Sequence, residues 1–513
     1  MSQTNHRRVA ESASRVCRTG VDYFGTGAMA LLLLCSLILF ARIMSTGMLT
    51  NGYLFLAMGI LLAINAVHVY VQLPLRCNKL GKLIGGIAAV LLSVAMIFGM
   101  TALGTVQSVL GRITGQYLQL DVIAVMVTVD DPAQELADTA GYTFGYAEGL
   151  DQSNTDELLD HIAQSIPDIQ SRSCASLTDL ADALYDDQVD AIVLNKGYIS
   201  LLEEQPGYDD FSRQVRIIYE HEIAREIQID ADRQDVTSKP FVIYCSGIDS
   251  RIVGNLTGKS NSDVNILAVV HPKSRQILLI NTPRDYYVPL HMNGQYDKLT
   301  HAGNYGIEES IGTLSDLYDV DIAYYVRVNF TGLIKVVDAL GGVDVESPRA
   351  FTTTVMDIPA AGGGFSQRSF SFPAGQVHLD GQSALAFSRE RDAFFNGDIQ
   401  RGLNQMAVIK GIIARITSPA ILSGYGELMK AVADSFVTNM SYEEIAALVQ
   451  MQQRDGGSWN VTTYAAAMGS GSTTQRTYTA GMAWVMPPDI ASVNTAKSLI
   501  RQVLSGETPV VPE

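Results

Sequence analysis

Polar and apolar positions along this chain change rhythm near residue 110. Before that point lie three long apolar runs, at 27–44, 53–73 and 83–106. Each has about the 17–25 residues that a helix needs to cross a bilayer. None carries a polar face to turn to water, so the pattern predicts membrane spans rather than buried core helices. The first run is too long for the apolar part of a signal peptide, and no small-residue cleavage site leads into a polar start. Farther on the runs shorten. Residues 118–223 alternate strand-like DVIAVMVTV and TFGYAEG, helical NTDELLDHIAQSI and LTDLADALYDD, then strand-like DAIVLN and VRIIYEHEI. This alternation predicts a small α/β unit. The polar stretch 224–240, which ends in proline, reads as the exit from it.

A second α/β pattern starts at residue 241. FVIYCSGIDSR reads as a strand entering a glycine turn, and DVNILAVVHPKSRQILLINTPRD as a hairpin turning at HPKS. IAYYVRVNF and ALAFSRER read as further strands. FTGLIKVVDAL, GLNQMAVIKGIIARI, YEEIAALVQMQQ and DIASVNTAKSLIRQVL have helical spacing, the first stopped by Gly341 and Gly342. A chain of 513 residues has room for about three units. The expected division is a tail at 1–26, three spans within 27–110, a small domain at 118–223, a linker at 224–240 and a larger domain at 241–505.

Charge adds a direction. Arg7, Arg8, Arg15 and Arg18 precede the first span, and Arg76, Lys79 and Lys82 fill the second loop, while the first loop has no charge. That bias places the tail and the second loop in the cytoplasm and everything after about residue 107 outside. Arg42 and Arg112 run mildly against it, and Arg42 has the reach to snorkel. The net charge of −17 is concentrated in residues 121–240, which hold 26 acidic and 7 basic side chains. No basic stripe of the kind that nucleic acid requires is present outside the spans, so nucleic acid is not an expected partner. Five cysteines show no CxxC and no metal spacing. Cys174 and Cys245 fall on the outer side, where a pairing between them is open.

The candidate chemistry sits at the ends of apolar strands, where α/β sheets place their sites. In GIDSR and GKSNSD, Asp249 and Asp263 flank one loop around Arg251. Two carboxylates on a loop suit Mg²⁺ completed by phosphate and water, although an Asx-turn and a strand cap, taken alone, explain them more simply. In TPRDYYVPL, Arg284 and Asp285 either close a strand end as an ion pair or present a guanidinium to phosphate. In YDKLTHA, Lys298 suits phosphate, and His301 reads better as a helix-start or packing residue. In ALAFSRERDAFFNGDIQRGLNQ, a strand would put Leu385, Phe387, Arg389 and Arg391 on one face. Asp398 would cap a helix that carries Arg401 and Gln405 on one side. Three arginines and a glutamine near a helix start form an anion site, with a solvated charge run as the bland alternative.

Taken in order, GIDSR, SD, TPRD, DKLTHA, YYVRVNFTGLIKVVDALGGVDV, LDGQSALAFSRER and DIQRGLNQ make residues 241–505 resemble the LytR-CpsA-Psr family of cell-wall ligases. The resemblance implies a three-layer α/β/α domain with a mixed central sheet, preceded by a small α/β accessory domain, while the three transmembrane helices rest on the apolar runs. It implies a phosphotransferase in the membrane of a Gram-positive type bacterium, with its catalytic domain outside. Such an enzyme moves a teichoic-acid-like or capsular glycopolymer from an undecaprenyl-pyrophosphate carrier to a peptidoglycan hydroxyl. By the family pattern Asp249 and Asp263 hold Mg²⁺, and Arg251, Arg284, Arg389, Arg391 and Arg401 surround the pyrophosphate with Lys298 and Gln405 nearby. Asp285 or a metal-binding Asp is the base. Three departures stand out. SDV replaces the common SDT, Asn404 replaces an arginine before the helix glutamine, and three spans replace one. The competing classes are a non-catalytic module that binds lipid-linked polymer and a transcriptional regulator. The arginines and aspartates argue against the first, and about 26 residues ahead of the first span are too few for the second.

Overall fold

A computed structural model describes residues 20–512 apart from 74–78, 116, 167–168, 230–232, 249–255, 360–363 and 419–434. The chain forms two compact units, Met1–Val109 with Ile445–Gly456, and Leu110–Glu444 with Gly457–Glu513.

In the first unit, α1 (Gly20–Ser45), α2 (Asn51–Gln72) and α3 (Lys79–Ile113) are long and apolar enough to cross a membrane. Leu33, Leu34, Phe55, Leu56 and Phe98 lie open on their outer faces. Polar groups turn inward instead. Asn65 donates to Ser36 Oγ at 2.8 Å, and Lys82 Nζ meets Asp22 Oδ1 at 2.8 Å. An apolar solvent demands this arrangement, because it offers those groups no partner of its own.

The second unit holds two sheets. In the smaller, β1 (Leu118–Thr128) lies between β4 (Ala191–Asn195) and β5 (Val215–Glu226), antiparallel to both. Parallel pairing with β4 then adds β2 (Thr143–Ala147), and β2 in turn adds β3 (Gln170–Cys174). β1 is apolar at nearly every position because both its faces are covered. Ile123, Val125 and Val127 meet Leu158 and Ile162 of α4 (Gln152–Ser165). Ala124 and Met126 meet Leu180 and Leu184 of α5 (Leu177–Tyr185). Ser176 caps α5 by accepting from Asp179 N at 3.0 Å.

The larger sheet is mixed. Its strands are β6 (Phe241–Ile248), β7 (Ser262–His271), β8 (Gln276–Asn281), β9 (Tyr324–Asn329), β10 (Phe436–Thr438) and β11 (Asn460–Ala465). They run in the order β10-β9-β6-β7-β8-β11. The expected hairpin is β7–β8, closed by residues 272–275. One face carries Leu267, Val269, Leu278 and Ile280 against α6 (Ile307–Tyr318) and α10 (Ile490–Leu504). The other face receives α7 (Phe330–Ala339) and α9 (Gly397–Ile416), with α8 (Gly381–Arg389) packed against both, which completes three layers. Gly341 and Gly342, at φ 73° and 87°, follow α7 as expected, and a Cβ on Gly342 would overlap the His378 ring. Short antiparallel pairs between residues 343 and 379 form a lobe on this side, packed through Phe351, Phe372, Phe387 and Phe394.

The two sheets are joined inside the second unit. Lys259 reaches between Asp151 (2.5 Å) and Asp121 (3.7 Å), and Asp121 also accepts from Gln119 and Asn154. The Tyr198 hydroxyl donates to Asn304 O at 3.0 Å. From the opposite side Arg327, buried on β9, donates to Gly258 O at 2.7 Å. The polar segment after β5 stays attached, since Ile227 lies in the core of the larger sheet. Cys174 and Cys245 are both free.

Candidate active site

Antiparallel pairing brings the start of β7 to the level of the ends of β6, β8 and β9, where Ile248 lies opposite Ser262 and beside Asn329. Asp263, the second residue of β7, therefore shares one end of the sheet with Arg284 and Asp285, which follow β8. The guanidinium of Arg284 joins the two carboxylates. Its Nη1 donates to Asp263 Oδ1 at 2.8 Å, and its Nε lies 3.4 Å from Asp285 Oδ2. Lys298, which ends the strand Tyr296–Lys298, places Nζ 3.1 Å from the other Asp285 oxygen. Asp285 thus has a cation on each oxygen. Burial acts to raise its pKa, but Arg284, Lys298 and Arg401 outweigh burial and hold it below the ordinary carboxylate value. Burial likewise opposes the charge on Arg284, and Asp263 and Asp285 overcome it, so that guanidinium titrates above its usual range.

Helix α9 delivers Arg401 to the same end. Its close approach depends on Gly402, where any Cβ would overlap the Asn281 side chain at the tip of β8. Asn281 in turn donates to Gln405 Oε1 at 3.4 Å. Arg401 pairs with Asp398 at 2.9 Å. Asp398 is not the helix cap: Asn396 holds that position, and Asp398 stands in the first turn. Asn404, which replaces a charge in the family pattern, faces α8 instead and donates to Phe387 O at 3.1 Å.

Two expectations need correction. ALAFSRER is not a strand; residues Gly381–Arg389 are helix α8, capped by Asp380, which accepts from Ser383 N at 2.8 Å. Leu385 and Phe387 are both buried in the helix, and Arg389 and Arg391 do not share a strand face. Arg389 donates to Asp357 O at 2.9 Å and lies over the Phe330 ring. Arg391 is half exposed and pairs with Asp392 at 3.4 Å. Among the described residues, neither arginine bonds to the Arg284 cluster. Between them Glu390 is buried and accepts from Thr354 N and Ala393 N, both at 2.8 Å. Asp249 and Arg251 lie outside the described residues.

His301 packs as expected, but not as a bystander. It is buried in the short helix Leu299–Ala302, with Nδ1 2.6 Å from Asp297 and Nε2 4.0 Å from Glu204 of the small domain. Burial alone would lower its pKa. The two carboxylates reverse that and push it up to about 9, so the ring is a cation at neutral pH. Glu204, Asn261 and Gly402 went unnoticed in the sequence. Glu204 and Asn261 carry no local signal, whereas a glycine inside a helical pattern is a usable hint of close approach.

Known proteins give this geometry a context. The model of the LytR_cpsA_psr family matches residues 212–480. A protein of Enterococcus faecalis, named polyisoprenyl-teichoic acid–peptidoglycan teichoic acid transferase TagU, is 31% identical over 240 residues, which cover 46% of this chain and 73% of that one. Its namesake in Bacillus cereus is 34% identical over 209 residues, covering 40% of this chain and 63% of that one. Among solved structures, Bacillus subtilis TagV aligns with 53% of this chain and 99% of its own, at 24% identity and a TM-score of 0.42. With the family pattern matched over half its length, this chain belongs to the LytR_cpsA_psr family.

Proposed function

We propose that this protein is a membrane-anchored transferase that moves a glycopolymer from an undecaprenyl-pyrophosphate carrier to a hydroxyl of peptidoglycan. One observation carries the reading: Arg284, Lys298 and Arg401 are gathered around the buried Asp285 at the end of the larger sheet. The names of the relatives, with their polyisoprenyl-linked teichoic acid and peptidoglycan, agree with it.

In the transfer, the acceptor oxygen bonds to the phosphorus next to the polymer, and the bond from that phosphorus to polyprenyl phosphate breaks. The hydroxyl proton passes through a carboxylate of the site, Asp285 or Asp263, to the departing phosphate. Arg284 and Lys298 offset the charge that grows on the phosphate oxygens, and their ties to Asp285 hold them in place before the substrate arrives. Arg401 and Gln405 contribute from α9.

Among the described residues the cations at this end, Arg284, Lys298 and Arg401, are already paired with Asp263, Asp285 and Asp398, and Glu204 and Asp297 add further carboxylates beside His301. Together they bring no surplus positive charge to a pyrophosphate, which is the condition under which a divalent cation helps most. Asp263 is a hard oxygen donor, part exposed, and fits such an ion. With Asp249 it would hold Mg²⁺, which would neutralise phosphate charge.

The Lys/Arg bias supports a cytoplasmic tail and a domain outside the membrane after about residue 107. The reaction is tested with the purified full chain, a short polyprenyl-pyrophosphate saccharide and peptidoglycan oligomers. Formation of the phosphodiester-linked product, abolished in Arg284→Ala, is the expected result. Tight binding of the donor with no product would overturn the transfer and leave a binding protein.

A further inference from the structure

The small domain reaches into the cation cluster of the larger one. Glu204 follows the short helix Ile199–Glu203, beyond the end of β4. Its Oε1 accepts from Asn261 Nδ2 at 2.9 Å, and its Oε2 lies 4.0 Å from His301 Nε2. Asn261 stands two residues before Asp263, and His301 three residues after Lys298. Glu204 is therefore bracketed by the two segments that carry site residues. A third is tied to them, since Thr300 N donates to Arg284 O at 2.8 Å.

Resting on the transfer reading above, we propose that Glu204 is an acceptor-binding residue: its carboxylate receives the hydroxyl-bearing sugar of peptidoglycan at the mouth of the site. Charge excludes the opposite role, because a carboxylate repels a pyrophosphate. A sugar hydroxyl, by contrast, gives a carboxylate a strong charge-assisted bond. The other carboxylates are more fully engaged. Asp285 has a cation on each oxygen, Asp263 is held by Arg284, and Asp297 accepts from His301, Lys298 N and Thr479. Glu204 keeps 36% of its side chain exposed, against 23% for Asp263, 7% for Asp285 and none for Asp297.

Its ionised form is secured. Burial would raise its pKa, but His301, Arg284 and Lys298 together hold it below the usual value. That keeps it an acceptor of hydrogen bonds, suited to orienting the hydroxyl-bearing sugar. His301 serves as the anchor: Asp297 fixes one ring nitrogen, and the other, buried and without a hydrogen-bond partner among the described residues, faces Glu204. The small domain thereby becomes part of the acceptor site.

The test uses the full chain in detergent, with donor and acceptor varied separately. In Glu204→Gln, kcat/KM for peptidoglycan oligomers should fall about tenfold, with KM for the polyprenyl-pyrophosphate saccharide unchanged. Asn261→Ala removes the amide donor from one carboxylate oxygen without altering charge, and should move the same parameter by less. It also gives the answer if Glu204→Gln does not fold. Unchanged acceptor kinetics in both variants, or a parallel loss for donor and acceptor, would overturn the assignment. A wild-type chain that binds the donor but forms no product would instead overturn the transfer reading, and this assignment with it.

Discussion

Arg284 is held between two carboxylates from different strand ends, with Nη1 2.8 Å from Asp263 and Nε 3.4 Å from Asp285. A planar fork satisfies both at once, and an ammonium does not. Arg284→Lys keeps the charge and loses one of the two ties. Transfer should drop at least about tenfold, equivalent to roughly 1.4 kcal/mol at the transition state. Initial rates with saturating donor measure it, and a rate within twofold of wild type would show that the fork is not needed.

The buried His301 predicts a dependence on alkaline pH. Its folded pKa of about 9 lies above the ordinary 6.5, so the protonated ring stabilises the fold. That contribution is complete below about pH 6.5 and disappears as pH rises through 9, with a size on the order of 3 kcal/mol. Melting curves of the solubilised chain between pH 6 and 10 should show wild type losing stability over this window. His301→Gln should start lower and stay flatter.

Neighbours Glu390 and Arg391 should behave in opposite ways. Arg391 is half exposed, and its pairing with Asp392 at the surface is worth little. Arg391→Ala should change transfer by less than about twofold, whereas Arg401→Ala should reduce it at least about tenfold. Glu390→Ala strands two backbone N–H groups and should cost about 1–3 kcal/mol of stability. Chemical denaturation read beside the transfer rate separates the two effects.

Gly402 sets the distance between α9 and the tip of β8. Gly402→Ala places a methyl group where the Asn281 amide now lies, and it should destabilise the fold by about 1–3 kcal/mol. Asn281 is buried and bonded to Gln405, so the helix is expected to give way outward, carrying Arg401 and Gln405, and donor KM should rise with the loss of stability. A variant of normal stability and donor KM would mean that Asn281 simply rotates aside.

Much of this was legible in the sequence where a pattern is local. The β7–β8 hairpin announced itself by two apolar runs about a four-residue turn, and Asp263, Arg284 and Lys298 lay at or near strand ends. ALAFSRER misled because four apolar residues followed by four polar ones fit a strand period and a helix period alike. Its deciding signal was Asp380 three residues ahead of Ser383, a helix cap rather than a strand start. Glu204 was beyond reach for a different reason. Its importance comes from Asn261 and His301, which lie 57 and 97 positions away in sequence and meet it only when the two sheets dock.

Lys259 carries a last consequence. Its charge lies almost out of water and, among the described residues, is paired with Asp121 on β1 and Asp151 at the cap of α4, both on the side of the other sheet. A chain begun at Phe241 would strand that ammonium, strip Ile227 from the core and open Asn304 where Tyr198 covers it. The small domain is therefore not a detachable module. Grafting it between relatives would require residues 257–261 and 301–304 to travel with it, because the two sheets hold each other's polar and apolar groups out of water.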